Sequence, residues 1–185
     1  MLILPTIASQ QFRATQARPW DIMFLVSEVA AGAMQGHFAA ELYADTRKRR
    51  ALVLQCAKAI LTSRWGWLWR SSEALQFIVI RSDQGTIGAA LASTVRDADG
   101  LQIMTIEYVV VDSGFRRLGV GEALVRDLLE KATQGDQKVV CYCTPKSQGM
   151  QRLLRQLGFV RTQKVHALNV GDSKLLLPAR WSWRP

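Results

Sequence analysis

The sequence holds only three cysteines and two histidines in 185 residues. Three thiols cannot form a disulfide framework, and so few ligands exclude a structural zinc site of the common kind. No metal site is expected. Cys141 and Cys143 stand two apart in an apolar run, which puts them on one face of a strand as small buried hydrophobes. His37 and His166 are isolated and read as structural or exposed. Long apolar runs are missing too. The best stretch, residues 51–61, is broken by Gln55 and Lys58 and falls short of the ~20 residues a membrane helix needs. The apolar opening, residues 1–7, lacks a basic flank, so it is not read as a signal peptide and a cytoplasmic location is expected. There is no internal repeat, no low-complexity segment and no Gly-Lys-Ser/Thr, which rules out a Walker phosphate loop.

Acidic residues are scarce beside basic ones, 15 against 24, for a formal net charge of +9. An anionic cofactor, a nucleic acid or an acidic partner would each suit that excess. The sharpest basic run, Arg47-Lys48-Arg49-Arg50, has no interleaved aromatics. It reads first as a solvated helix end and second as a nucleic-acid contact. Net charge argues only weakly against polycationic acceptors, because it sets steering and not pocket detail. Hydrophobic residues at 49% and charged residues at 21% are ordinary for a folded domain. The length favours one domain over residues 1–185.

Along the chain, residues 12–17 read as an edge strand. Asp21 reads as the N-cap of a helix carrying Phe24, Leu25, Val29 and Met34. A second helix spans residues 46–62, with Leu52, Leu54, Cys56, Ile60 and Leu61 apolar. Trp65, Trp67 and Trp69 read as a lid or core edge, and second as a stacking platform. Residues 77–81 and 86–95 form a hairpin about a turn at 82–85, and residues 101–111 form a long strand. Residues 117–133 are helical, with a stripe at Val120, Leu124, Val125, Leu128, Leu129 and Ala132. Another strand covers 138–144. A short helix over 147–157 shows Met150, Leu153, Leu154 and Leu157 at i, i+3, i+4 and i+7, and Gly158 suits its stop. A hairpin of 159–170 and 174–177 about Gly171-Asp172 ends the pattern. The fold class is α/β (α+β), a mixed sheet with helices on both faces.

The segment richest in chemistry is Val109-Val110-Val111-Asp112-Ser113-Gly114-Phe115-Arg116-Arg117-Leu118-Gly119-Val120-Gly121. A strand ends, a loop follows, and a helix begins at a glycine-containing turn. The first amides of a helix lack intrahelical partners and point one way, so with the helix dipole they suit phosphate oxygens. Gly119 and Gly121 leave room for a bulky pyrophosphate, and Arg116 and Arg117 add charge at the rim. A dinucleotide fingerprint would need a third glycine, and position 124 is Leu.

Arg116-x-x-Gly119-x-Gly121 resembles the acetyl-CoA motif of the GNAT family of N-acetyltransferases, with the family's valine at Val111. Leu157-Gly158-Phe159 resembles the end of its second cofactor motif. The resemblance implies a mixed, mostly antiparallel central sheet and acetyl-CoA as cofactor. It implies that the Val109 and Val111 amides pair with the pantetheine and acetyl carbonyl. Arg116, Arg117, Leu118, Gly119, Val120 and Gly121 would take the pyrophosphate, with Ser147 at the usual asparagine position. It further implies direct attack of a primary amine on the thioester, with Glu107 as the candidate base, expected on the same strand face as Val109 and Val111. A solvated or salt-bridged strand carboxylate is the alternative for Glu107. The chain departs from the family where Leu154 replaces the usual tyrosine acid and where Ser113-Gly114 replaces Pro-Glu. Water, Ser147, Tyr142 or Cys143 could donate the proton instead. Hence a catalytically weakened coenzyme A-binding module stays open beside the enzyme, as does a transferase acting on a nucleic-acid-linked amine. The acceptor is a small-molecule or protein amine, no membrane partner is expected, and a homodimer is compatible with the family.

Overall fold

The computed structural model describes residues 12–65, 74–163, 167–170, 173–176 and 178–185. Trp67, Trp69, His166 and the turn at Gly171-Asp172 lie outside the described residues. Strand β1 (Thr15–Gln16) and helices α1 (Asp21–Met34), α2 (Glu41–Ala44) and α3 (Thr46–Trp65) come first. An antiparallel meander follows, β2 (Ala74–Ser82), β3 (Gly85–Arg96) and β4 (Gln102–Val111). Then α4 (Val120–Gln134), β5 (Lys138–Cys143) and α5 (Gln148–Gln156) alternate. The chain finishes with β6 (Val160–Gln163), β7 (Ala167–Val170), β8 (Ser173–Leu176) and β9 (Ala179–Trp183). Seven strands form one sheet in the order β1-β2-β3-β4-β5-β9-β6, and β7-β8 pair separately. Among these pairings only β4 with β5 is parallel.

Period-two alternation sorts the sheet's side chains into two layers. On one face Ile78, Ala90, Met104, Ile106, Val139 and Cys141 pack with Leu124, Leu128 and Leu154 of α4 and α5. On the other, Phe77, Val79, Ala89, Leu91 and Val110 pack with Leu25 and Val29 of α1 and Leu52 and Cys56 of α3. The expected stripes of α4 and α5 are therefore the core-facing ones. In α3, Leu54 and Leu61 instead face outward.

Three local expectations are corrected. Asp21 does not cap α1. The helix begins at Asp21 itself, and its buried carboxylate accepts from the Arg18 amide (2.6 Å), Thr86 Oγ1 (2.6 Å) and the Arg81 guanidinium. Three partners satisfy a charge that burial would otherwise make costly. Helix α4 starts at Val120, not 117, because Arg117 (φ 63°) and Gly119 (φ 93°) both lie in the left-handed region and hold the loop out of the helix. The chain also does not end on the hairpin. Strand β9 returns between β5 and β6, pairing Cys141 with Trp181 and Cys143 with Ala179.

The start of α4 is seated by a missing side chain. A Cβ built on Gly88 of β3 would stand 2.5 Å from Val120 Cγ1 and 3.2 Å from Leu124 Cδ1. Gly88→Ala is therefore expected to lose about 1–3 kcal/mol by overpacking. Thermal unfolding should show the midpoint falling by several degrees, and an unchanged midpoint would contradict this close approach.

Candidate active site

Strands β4 and β5 run side by side from Ile103↔Lys138 to Ile106↔Cys141, and there their pairing stops. Both strands continue, β4 to Val111 and β5 to Cys143, so the sheet opens between them. The direction of the β4 amides across this opening follows from one hydrogen bond. The Asp112 amide donates to Ile87 O on the β3 side (2.9 Å). Alternation then turns the Val110 amide toward β3 and the Val109 and Val111 amides toward the opening.

The loop after β4 supplies a second set of donors. Asp112 Oδ1 accepts from the Gly114 amide (2.8 Å) and holds a short 3-10 turn, Ser113–Phe115. The first helical bond of α4 runs from the Ala123 amide to Gly119 O (2.9 Å). By helix geometry the amides of Gly119, Val120, Gly121 and Glu122 precede that ladder. No atom lies within 4 Å of a Cβ built on Gly119, and at Gly121 the nearest is Val111 Cγ2 at 3.6 Å. Open space, clustered amides and the positive end of a helix suit an anion. Arg116 Nε donates to Val111 O (3.2 Å), and its guanidinium stands 3.9 Å from Glu28. Burial lifts the Glu28 carboxyl above its ordinary pKa, Arg116 draws it down, and Asp112 lifts it further. Arg117 and Leu118 are exposed.

Glu107 does not share a face with Val109 and Val111. Pairing with β3 jumps from Ile106↔Ala92 to Tyr108↔Leu91, leaving Glu107 as the extra residue of a β-bulge. A bulge resets the alternation. Val109 and Val111 join the α4 layer while Glu107 points to the α3 side, where its Oε1 accepts from Ser93 Oγ (2.7 Å). There it borders a groove of about 470 Å³ between α3 and the sheet, walled by Leu54, Leu75 and Val95. Beside it Tyr108 is half-buried and meets Phe38 edge-on at 5.7 Å. Burial raises the Tyr108 phenol's pKa, with the neighbouring Glu107 and Cys56 adding to it.

Ser147 sits at the N-terminus of α5, but its hydroxyl is engaged across the fold. It donates to His37 O (3.1 Å) and lies 3.0 Å from Thr144 Oγ1, which bonds Gly36 O (3.0 Å). The pair ties the β5–α5 loop to the loop after α1. Leu154 is fully buried and brings no titratable group. Two of the buried thiols are held in the protonated form. Burial pushes Cys56 up to about 12, while a hydrogen bond donated to Cys143 and then burial hold Cys141 well above its ordinary value. Tyr142, between two buried cysteines, is 51% exposed on the Glu107 side of the sheet.

The family model for the acetyltransferase (GNAT) family matches residues 40–159, from α2 through the Leu157-Gly158-Phe159 end of α5. The chain belongs to that family. Its fold agrees. A GNAT phosphinothricin acetyltransferase from Sinorhizobium meliloti, solved with acetyl-CoA, superposes with a TM-score of 0.70 at 16% identity, over 95% of this chain and 89% of the other. The ribosomal-protein-alanine N-acetyltransferase of Brucella melitensis gives 0.69 at 15% identity, over 93% and 99%. The yncA protein of Salmonella typhimurium, solved with acetyl-CoA, gives 0.67 at 16% identity, over 94% and 93%. A search of curated protein sequences finds no match. Among the described residues of this GNAT chain no helix is long and apolar enough to cross a membrane, and none of the described His, Cys, Asp and Glu residues form a group able to hold a metal ion.

Proposed function

We propose that this GNAT chain is an N-acetyltransferase that uses acetyl-CoA and passes the acetyl group to a primary amine by direct attack. One observation carries the reading. The β4–β5 ladder opens after Ile106, with the Val109 and Val111 amides turned into the opening and the Gly119 turn directly downstream. Acetyl-CoA supplies an activated acetyl thioester. The Val109 and Val111 amides hold its amide-bearing arm, and the amides from Leu118 to Gly121, with Arg116 and Arg117 at the rim, hold the pyrophosphate. A β4 amide would also donate to the acetyl carbonyl oxygen as it takes up negative charge, and the coenzyme A sulfur would leave as a thiolate, protonated by water.

An alkylamine with a pKa near 10.4 costs about 4.6 kcal/mol to deprotonate at pH 7. Glu107, exposed at the bulge and fixed by Ser93, accepts that proton directly or through water. Ser147, with its hydroxyl turned to His37 O, shapes the opening by tying down the loop after α1.

The test pairs binding with turnover. Acetyl-CoA and free coenzyme A should each raise the thermal midpoint, and thiol release should appear with some member of a primary-amine panel. No midpoint shift with either coenzyme overturns the whole reading. The buried Leu154 favours a second reading, a coenzyme A-binding module with weakened catalysis. It predicts the midpoint shift without release on any amine.

A further inference from the structure

We infer that the acceptor is a small amine that also bears an acid group, with Arg180 as the residue that binds the acid. This rests on the acetyl-transfer reading and adds the substrate class to it. Three neighbouring strands, β4, β5 and β9, carry the residues. Glu107 lies one residue beyond the last β4–β5 pair, Ile106↔Cys141, which sets it beside Tyr142. Tyr142 is in register with Arg180 of β9. All three face away from the α4–α5 layer, because Cys141, Cys143, Ala179 and Trp181 are the residues turned into that layer. Glu107, Tyr142 and Arg180 thus form a row across the sheet where β4 and β5 part.

The two ends of the row carry opposite charges. Glu107 is held by a neutral hydroxyl, Ser93. Arg180 has no carboxylate partner among the described residues, and its buried Nε has no hydrogen-bond partner. A buried guanidinium nitrogen left unpaired is costly. A planar fork of this kind matches a carboxylate or phosphonate in two parallel bonds. Paired strands lie about 4.8 Å apart, so the backbones at the ends of the row, beyond the last β4–β5 pair, are at least roughly 10 Å apart. Tyr142, half exposed between them, offers a flat surface for the stem joining the two groups. The cation of a zwitterion belongs at Glu107 and its anion at Arg180.

The probes are ω-amino acids from glycine to 6-aminohexanoate together with the α-amino acids, each compared with its own carboxamide. Calorimetry in the presence of free coenzyme A reads their binding without needing turnover. At the best-fitting length the acid should bind about ten- to hundredfold tighter than its carboxamide. Arg180→Met, which keeps an apolar stem, should erase that ratio and leave coenzyme A binding unchanged, while Arg180→Lys should restore part of it. No preference for the acid at any length, or a preference that survives Arg180→Met, overturns the inference. Acid-selective binding without thiol release from acetyl-CoA would overturn the transfer reading and leave the Arg180 site standing.

Discussion

Glu107→Gln is expected to lower kcat by about 10²- to 10⁴-fold at neutral pH, the usual contribution of a positioned base. The acetyl-CoA KM should stay near its wild-type value, because the carboxylate faces α3 while the β4 amides face the opening. Glutamine keeps the size and can still accept from Ser93, so the bulge and its hydrogen bond survive. Only the proton acceptor is lost. The deficit should therefore shrink as pH rises toward the acceptor's own pKa, where the amine reaches the site already neutral. Steady-state rates across pH 7 to 10 measure this directly. A variant with full activity at pH 7 would return Glu107 to the role of a solvated strand carboxylate.

Gly119→Asp should be mild for the fold and severe for the cofactor. Aspartate is among the residues that best tolerate positive φ and among the best N-caps. A Cβ at Gly119 also meets no atom within 4 Å. The thermal midpoint should thus move by only a few degrees. In the bound state, however, the new carboxylate would sit beside a diphosphate. A like-charge pair 5 Å apart costs about 3 kcal/mol at an effective dielectric of 20, roughly a hundredfold in acetyl-CoA Kd. Equal affinity in calorimetry would place the diphosphate elsewhere. Gly119→Asn separates charge from bulk and should lose much less.

The turn proposed for the pyrophosphate was legible as a local structure because it rests on backbone rules. A glycine-bearing turn between strand and helix advertises its free amides whatever surrounds it, and Gly119 does adopt φ 93°. The facing of the proposed base was not. The orientation of Glu107 depends on a bulge created by pairing with Leu91 and Ala92 of β3. Nothing in the local run Ile106-Glu107-Tyr108 distinguishes a bulge from strict alternation. Asp21 shows the same limit. It carries the signature of an N-cap, yet Arg81 and Thr86, some sixty residues away, claim its carboxylate. Strand β9 had a visible signal in the alternation of Ala179, Trp181 and Trp183 with Arg180 and Ser182. At five residues, directly after Pro178, it was too short to stand out from a tail.

The placement of β9 has a consequence for how this protein is made. Its five residues fill a slot inside the sheet, between β5 and β6, although they are translated after the other described strands. While residues 179–183 are still in the ribosome, β5 has a bare edge next to the parting with β4. Tyr142 then has no Arg180 across from it. Completion of this side of the sheet thus waits for residues 179–183 to emerge, whereas the β2–β4 meander and α4, local in sequence, can form well before.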